Sequence, residues 1–207
     1  MRKSLYTVNG PTAPVYDLAT VQDVNLMLGI IGNTADDAIM AQRITFTSKL
    51  IADFCNRDFA ALEVTENFRV HAGQPVEALY LRHFPVQQLF SITVCGAPAE
   101  PELFELDYDS GLLWMKCWRW RGEIVVDYLG GYNLPDDAPP LLTQACVETI
   151  RFSRFAGNRD PTIRSTTHEG TTVSFNDYRF GTATGAGATA LPPNVNDMLD
   201  GYKAKWV

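Results

Sequence analysis

Four cysteines, three histidines, a serine set before a glycine and two pairs of adjacent aspartates are the residues of this chain whose types could do chemistry. Cys55, Cys95, Cys117 and Cys146 lie far apart and form no C-x-x-C pair, so neither a zinc ribbon nor a redox motif is supported. They are expected to be buried small hydrophobes. His71 and His83 fall in strand-like segments and His168 in a polar loop, none spaced from another histidine or carboxylate as a metal site or dyad requires. They read as surface or strand residues. Ser110 in "YDSGLL" lacks the Gly-x-Ser-x-Gly elbow and any arranged His and Asp partners. Asp36-Asp37 and Asp136-Asp137 fit helix starts better than an acid–base pair. "GTATGAGATA" has the glycines of a phosphate loop but no Lys-Ser/Thr pair, and reads as a linker. No enzyme, metal or cofactor is expected.

"KCWRWRG", Lys116 to Gly122, admits two readings. One is a cationic aromatic patch for nucleic acid. The other is a hairpin in which Trp118 and Trp120 share one face while Arg119 and Arg121 share the other. Composition favours the hairpin: 17 Lys and Arg stand against 24 Asp and Glu, a net charge of −7, so the chain repels phosphate backbones. With 207 residues, 46% of them hydrophobic, it can bury one core, or a core with a sizeable insertion. No apolar run approaches the roughly 18 residues of a membrane span, and "MRKSLYTVNG" lacks the apolar core of a signal peptide, so synthesis in the cytoplasm is expected.

The elements that must position these residues change character along the chain. Residues 1–17 carry two prolines and little periodicity and read as an arm, laid on something else or mobile. In "ATVQDVNLMLGI", Thr20 and Asp23 form a capping-box pattern before Val21, Val24 and Leu28 on one helical face. "NTADDAIMAQRITFTSKLIADFCNRDF" follows, with Asn33 or Thr34 as cap. Met40, Ile44, Thr47, Ile51 and Phe54 recur at spacings that line one face. From Leu62 the period becomes two, in short β-branched and aromatic runs broken by Gly, Pro, Asp and Ser. Residues 62–129 are expected to form one antiparallel sheet, with Asp109-Ser110-Gly111 as a hairpin turn whose tip faces outward.

Gly130 and Gly131 then end a strand, Pro135 to Pro140 turn a corner, and Leu142, Ala145, Cys146, Thr149, Phe152 and Ser153 return at helical spacing. The predicted fold class is α+β: a small helical bundle with an antiparallel β-sheet insertion between the second and third long helices, and extended N- and C-terminal arms. Its parts are an arm at 1–17, a domain at 18–161 (helices 18–59 and 139–156, β insertion 62–130), a flexible segment at 162–190 and a C-terminal docking helix at 191–207. The last carries an apolar stripe of Leu191, Val195, Met198, Leu199, Tyr202 and Trp206.

In order and spacing, "DLATVQDVNLMLGI", "DDAIMAQRITFTSKLIADFCNRDF", "FPVQQLFSITVCG", "FELDYDSGLLWM", "IVVDYLGGYNLPDDAPPLLTQACVETIRF" and "NRDP" resemble the head-to-tail connector (adaptor, head-completion) proteins of long-tailed bacteriophages. The likeness spans roughly Asp17 to Pro161, with a fainter echo in "LPPNVNDML". It implies a non-catalytic structural virion protein at the head–tail interface: a homo-oligomeric ring, commonly of twelve subunits, between the portal protein and a neck or tail-completion protein. DNA would pass through its lumen without specific binding, and no membrane is involved. On this resemblance the C-terminal stripe would bind the portal, and Trp118, Arg119, Trp120 and Arg121 would contact ring neighbours or the next neck protein. The long segment from Thr162 to Ala190 departs from a compact connector. The rival reading is a monomeric β-rich binding module for a peptide or sugar, which would not form large symmetric oligomers.

Overall fold

The computed structural model describes residues 5–9, 15–30, 35–71, 73–157, 165–168, 171–174 and 191–204. The chain is α+β and divides into two compact units. One comprises Met1–Tyr16, Asn56–Asp137 and Ala204–Val207; the other comprises Asp17–Cys55 and Ala138–Lys203.

The first unit holds strands β1 (Leu5–Val8), β2 (Leu62–Val70), β3 (Ala78–Tyr80), β4 (Val86–Val94), β5 (Ala97–Pro98), β6 (Phe104–Asp107), β7 (Leu112–Met115) and β8 (Gly122–Gly130). The single sheet expected over 62–129 is instead two: a five-stranded sheet ordered β1-β2-β8-β4-β5 and a three-stranded sheet ordered β3-β7-β6, antiparallel throughout. Alternation identifies strands but not partners, and three- or four-residue strands pair where the turns deliver them. The arm expected at 1–17 contains β1, which pairs with β2 from Leu5↔Asn67 to Val8↔Val64. Four residues are too few for a legible period.

β2 shows why the core lies where it does. Leu62, Val64, Phe68 and Val70 are buried on one face with Ile124, Val126 and Tyr128 of β8, while Glu63, Thr65, Asn67 and Arg69 face the other way. On that second face the Asp127 carboxylate accepts hydroxyl hydrogen bonds from Thr65 of β2 and Ser91 of β4, both at 2.6 Å. One residue thus bridges three strands. Among the buried apolar residues sits Glu66, fully buried, which accepts from the Tyr128 hydroxyl and the Arg82 backbone N–H at 3.1 Å and pairs with the Arg82 guanidinium at 3.3 Å. Tyr128 Oη also accepts from the His83 backbone N–H, at 3.1 Å. Tyr128 ionises far above its usual range, first through burial and then through the Glu66 charge.

The glycine pair that ends β8 has a steric cause. A Cβ on Gly130 would run into the His83 carbonyl, and one on Gly131, at φ +96°, into the Ala60 carbonyl. Here backbone passes over backbone, and the Ala61 N–H bonds to the Tyr132 carbonyl at 2.7 Å.

The second unit holds α1 (Val21–Met27), α2 (Asp37–Cys55), α3 (Pro140–Gly157) and α4 (Pro193–Leu199), with a 3₁₀ turn at Asp200–Tyr202. The capping box is formed: Thr20 Oγ1 accepts from the Asp23 N–H, and the Asp23 carboxylate accepts from the Thr20 N–H. Asn33 and Thr34, the expected cap of α2, lie outside the described residues. Met40, Ile44, Thr47 and Ile51 are buried on α2 as their spacing predicts, but Cys55 rather than Phe54 completes the stripe. Phe54 is half-buried beneath the Lys203 ammonium, 4.5 Å from the ring centroid. α2 and α4 both pack on α3. The Leu18 N–H donates to Ser48 Oγ at 2.9 Å, and Thr143 Oγ1 donates to the Leu18 carbonyl at 3.1 Å. Strands β9 (Ser165–His168) and β10 (Thr171–Ser174) pair with each other inside the segment expected to be flexible.

Ile51 is fully buried, so Ile51→Ala should lower stability by about 2–5 kcal/mol. Ile51→Asp, which buries an unpaired carboxylate, should leave the helical unit unfolded. Thermal denaturation followed by circular dichroism checks both, and a wild-type melting temperature for Ile51→Asp would overturn this account of the core.

His83 provides a pH dependence. Burial holds its pKa below the usual 6.5 against the hydrogen bond to the Ala60 carbonyl, with Arg57 lowering it further and Asp58 raising it. The unfolded chain therefore takes up a proton before the folded one does. Stability is fully present above the unfolded pKa and is lost as pH falls from about 6.5 through the depressed folded value. His83→Gln should flatten the stability–pH curve between pH 6.5 and 5, measured by urea unfolding; an unchanged slope would remove His83 as the cause.

Candidate assembly surfaces

The residues that sequence chemistry singled out do not converge. Among the described residues no three metal-ligating side chains gather, and no helix is long and apolar enough to cross a membrane. Cys55 and Cys146 are buried, and the Cys146 thiol is pushed up to about 12, first by burial. Cys95 and Cys117 are exposed, contrary to the expectation that all four would be buried. Both stand in irregular segments between strands, where no core is offered to them. His83 is neither a surface nor an ordinary strand residue. It is buried, with Nε2 2.6 Å from the Ala60 carbonyl and Nδ1 3.4 Å from the Tyr6 hydroxyl.

Ser110 has a structural role. Its hydroxyl donates to Asp107 Oδ2 at 2.6 Å and the Asp109 N–H donates to Oδ1, which together hold the Asp107 carboxyl below its ordinary pKa, the Ser110 hydroxyl contributing most. Gly111 takes φ +67°, as the turn demands. Tyr108 and Asp109 are exposed at the tip, while its backbone is held on the inner side. The Tyr108 carbonyl accepts from the Val86 N–H and the Gly111 carbonyl from the Leu81 N–H, so the turn is tied to the chain between β3 and β4.

The stretch from Lys116 to Arg121 departs from the alternating hairpin. Residues 116–118 bend instead of continuing β7, so Trp118 and Trp120 do not share a face. Trp118 is 68% exposed, whereas Trp120 is fully buried and its indole N–H donates to the Leu113 carbonyl at 3.2 Å. Arg119 pairs with Glu77 on the surface, and Arg121 is exposed. Trp118, Arg119 and Arg121 remain available to a partner; Trp120 does not.

The C-terminal stripe is also placed differently. Leu191, Val195 and Leu199 are fully buried and α4 packs on α3, so these three are taken up by their own chain rather than held out for a portal. Burying large apolar side chains contributes roughly 1.5–3 kcal/mol each, enough to favour folding back once the helix can reach a neighbouring face. Met198 and Tyr202 are half-buried, Asn194 and Asp197 are exposed, and Trp206 lies outside the described residues.

Sequence reasoning missed one surface. On the three-stranded sheet, Leu79, Leu113 and Leu106 share a register row that faces the core. The flanking rows place Ala78 with Trp114 and Tyr80 with Leu112 on the opposite face. Tyr80 is 44% exposed, and Tyr108 in the adjoining turn 51%. The signal was present in the alternation of "ALY" and "LLWM", which carry apolar residues on both faces, but a strand buried on both sides gives the same pattern.

Among solved structures the chain is similar to a component of the neck of an empty gene transfer agent particle computed with C6 symmetry, at 15% identity and TM-score 0.54, covering 98% of this chain and 97% of that one. It is likewise similar to a component of the neck of the native particle computed with C12 symmetry, at 14% identity and TM-score 0.52, covering 97% of each chain. At such identities the likeness is one of fold. No curated protein matches. The match to a family model, head completion protein, runs over residues 17–204, from the capping box of α1 through the whole β insertion to the turn after α4, and the chain belongs to that family.

Proposed function

We propose that this structural virion protein works as one subunit of a ring that joins the capsid portal to the neck or tail and leaves a passage for DNA. The observation that carries the reading is the family match across residues 17–204, which takes in helices and sheets together rather than a single shared element. The symmetric necks of the structural neighbours support a closed ring, whose subunits each present two different, complementary patches.

Electrostatics agrees. Glu100, Glu102, Glu105, Asp107 and Asp109 place five carboxylates within ten residues free of Lys and Arg, and four of them are exposed. A surface of this kind turned to the lumen repels phosphate and lets DNA slide. Trp118, with Arg119 and Arg121 beside it, has the character of an interface anchor. Portal contact by α4 uses its outward positions, Asn194 and Asp197, with Met198 and Tyr202, since Leu191, Val195 and Leu199 are already covered.

Particles assembled without this chain should accumulate as heads lacking tails, seen by negative-stain electron microscopy and restored by supplying the chain in trans. Normally tailed particles in its absence would sink the proposal. Trp118→Ala, at an exposed site, should change subunit stability by less than about 0.5 kcal/mol, and so should Arg119→Glu with Arg121→Glu, yet both should reduce ring incorporation. Trp120→Ala should instead unfold the β unit, at a cost of about 3–5 kcal/mol. Full incorporation of the Trp118 and arginine variants would remove this patch from the interface.

A further inference from the structure

Sheet edges attract other strands unless something blunts them. Most edges here are blunted: β5 contains Pro98, β6 carries Glu105 and Asp107, and β3 is three residues long. β1 is the exception. It forms the outer edge of the five-stranded sheet with Leu5, Tyr6, Thr7 and Val8, none charged and none proline. The Asn9 N–H bonds to the Glu63 carbonyl at 2.8 Å, which makes residue 9 a bonded position of the β1–β2 ladder. By antiparallel alternation the N–H and C=O groups of Tyr6 and Val8 face away from β2. Among the described residues those groups have no backbone partner.

The hairpin β9–β10 is the second unprotected element. Its eight strand residues include no Asp, Glu, Lys, Arg or Pro, and it pairs only with itself among the described residues. Two four-residue strands are marginal alone, and of these eight residues only Val173 is aliphatic. What the hairpin can offer a partner is its backbone, in a β-branched sequence suited to strands.

We propose that in the ring the β9–β10 hairpin of one subunit adds to the β1 edge of the next, extending the neighbour's five-stranded sheet. This rests on the ring reading above. A heterologous ring contact needs two unlike surfaces on every subunit, and here they are two uncharged edges in different units of the chain. The chain's net charge of −7 makes copies repel, so the uncharged segments are where they can approach most closely.

Val8→Pro tests the edge. It removes an N–H that points outward and leaves every bond to β2 in place, a position where proline is tolerated. The variant should fold, with β-sheet circular dichroism and melting temperature near wild type, and should be lost from particle necks, whereas Val8→Ala should be incorporated. A second measurement does not depend on that variant folding. In a Cys95→Ser, Cys117→Ser background, Val8→Cys is combined in turn with a cysteine at each of the eight hairpin strand positions, and assembled particles are mildly oxidised. At least one pairing should give a ladder of chains joined head to tail on non-reducing gels. Necks containing Val8→Pro at wild-type levels would overturn the strand addition while leaving the connector role intact. So would a set of eight pairings giving either no cross-link or one confined within single chains, the latter meaning that the hairpin covers its own β1. Wild-type particles whose necks hold no ring of this chain would overturn the connector role itself.

Discussion

The β unit depends on one strand that is paired along both sides. β8 matches β2 without interruption from Gly122↔Val70 to Gly130↔Leu62, and matches β4 with register shifts between Val86 and Gln88 and between Leu89 and Ser91. A strand fixed on both edges has no freedom to slip, since a shift of one residue would turn Ile124, Val126 and Tyr128 out of the core. The irregularity is absorbed by β4, whose bulges re-aim its side chains while Ser91 keeps its bond to Asp127. The same constraint accounts for Glu66. Its carboxylate lies opposite Val126 in a row that is otherwise apolar, and it is tolerated because Tyr128 and Arg82 satisfy it there.

Much of this architecture was legible, for local reasons. The α1 capping box, the burial of Met40, Ile44 and Ile51, the Gly111 turn and the glycine exit from β8 each follow from residues close together in sequence, where spacing alone determines geometry. What was not legible was set by partners distant in sequence. β1 is too short to show a period, and its identity as a strand depends on β2, more than fifty residues on. Trp118 and Trp120 looked equivalent until a bend after Met115 separated them. His83 became buried because the chain around Ala60 passes next to it.

The candidate surfaces repeat the lesson in energetic terms. A short apolar helix after a Gly/Ala/Thr run invites the idea of a free docking element, but a hydrophobic stripe has no means of preferring a partner protein to the nearest apolar face of its own chain. α3 supplies such a face within reach of α4. Polar segments behave in the opposite way. The Thr-rich β9–β10 hairpin has almost nothing to bury, so the interaction it retains is the directional one of its backbone. Here the C-terminal apolar stripe folds inward, and the outward backbone groups of β1 and the hairpin are what we propose is left for neighbours.

The helical unit is assembled from segments separated by the entire β insertion, residues 17–55 on one side and 138–203 on the other. As the chain leaves the ribosome, α2 emerges with its buried stripe complete and without the helix that covers it. At synthesis rates of roughly 5–20 residues per second, the interval before α3 follows lasts several seconds, far longer than a helix takes to form. During that interval the β unit can close on itself, since β1 through β8 lie upstream of α3. A subunit cut short between β8 and α3 would own a finished sheet and an uncovered α2, and would lack the hairpin altogether. On the strand-addition proposal only a chain translated past Ser174 carries both edges, so the order of synthesis would keep subunits cut short before it out of a neck.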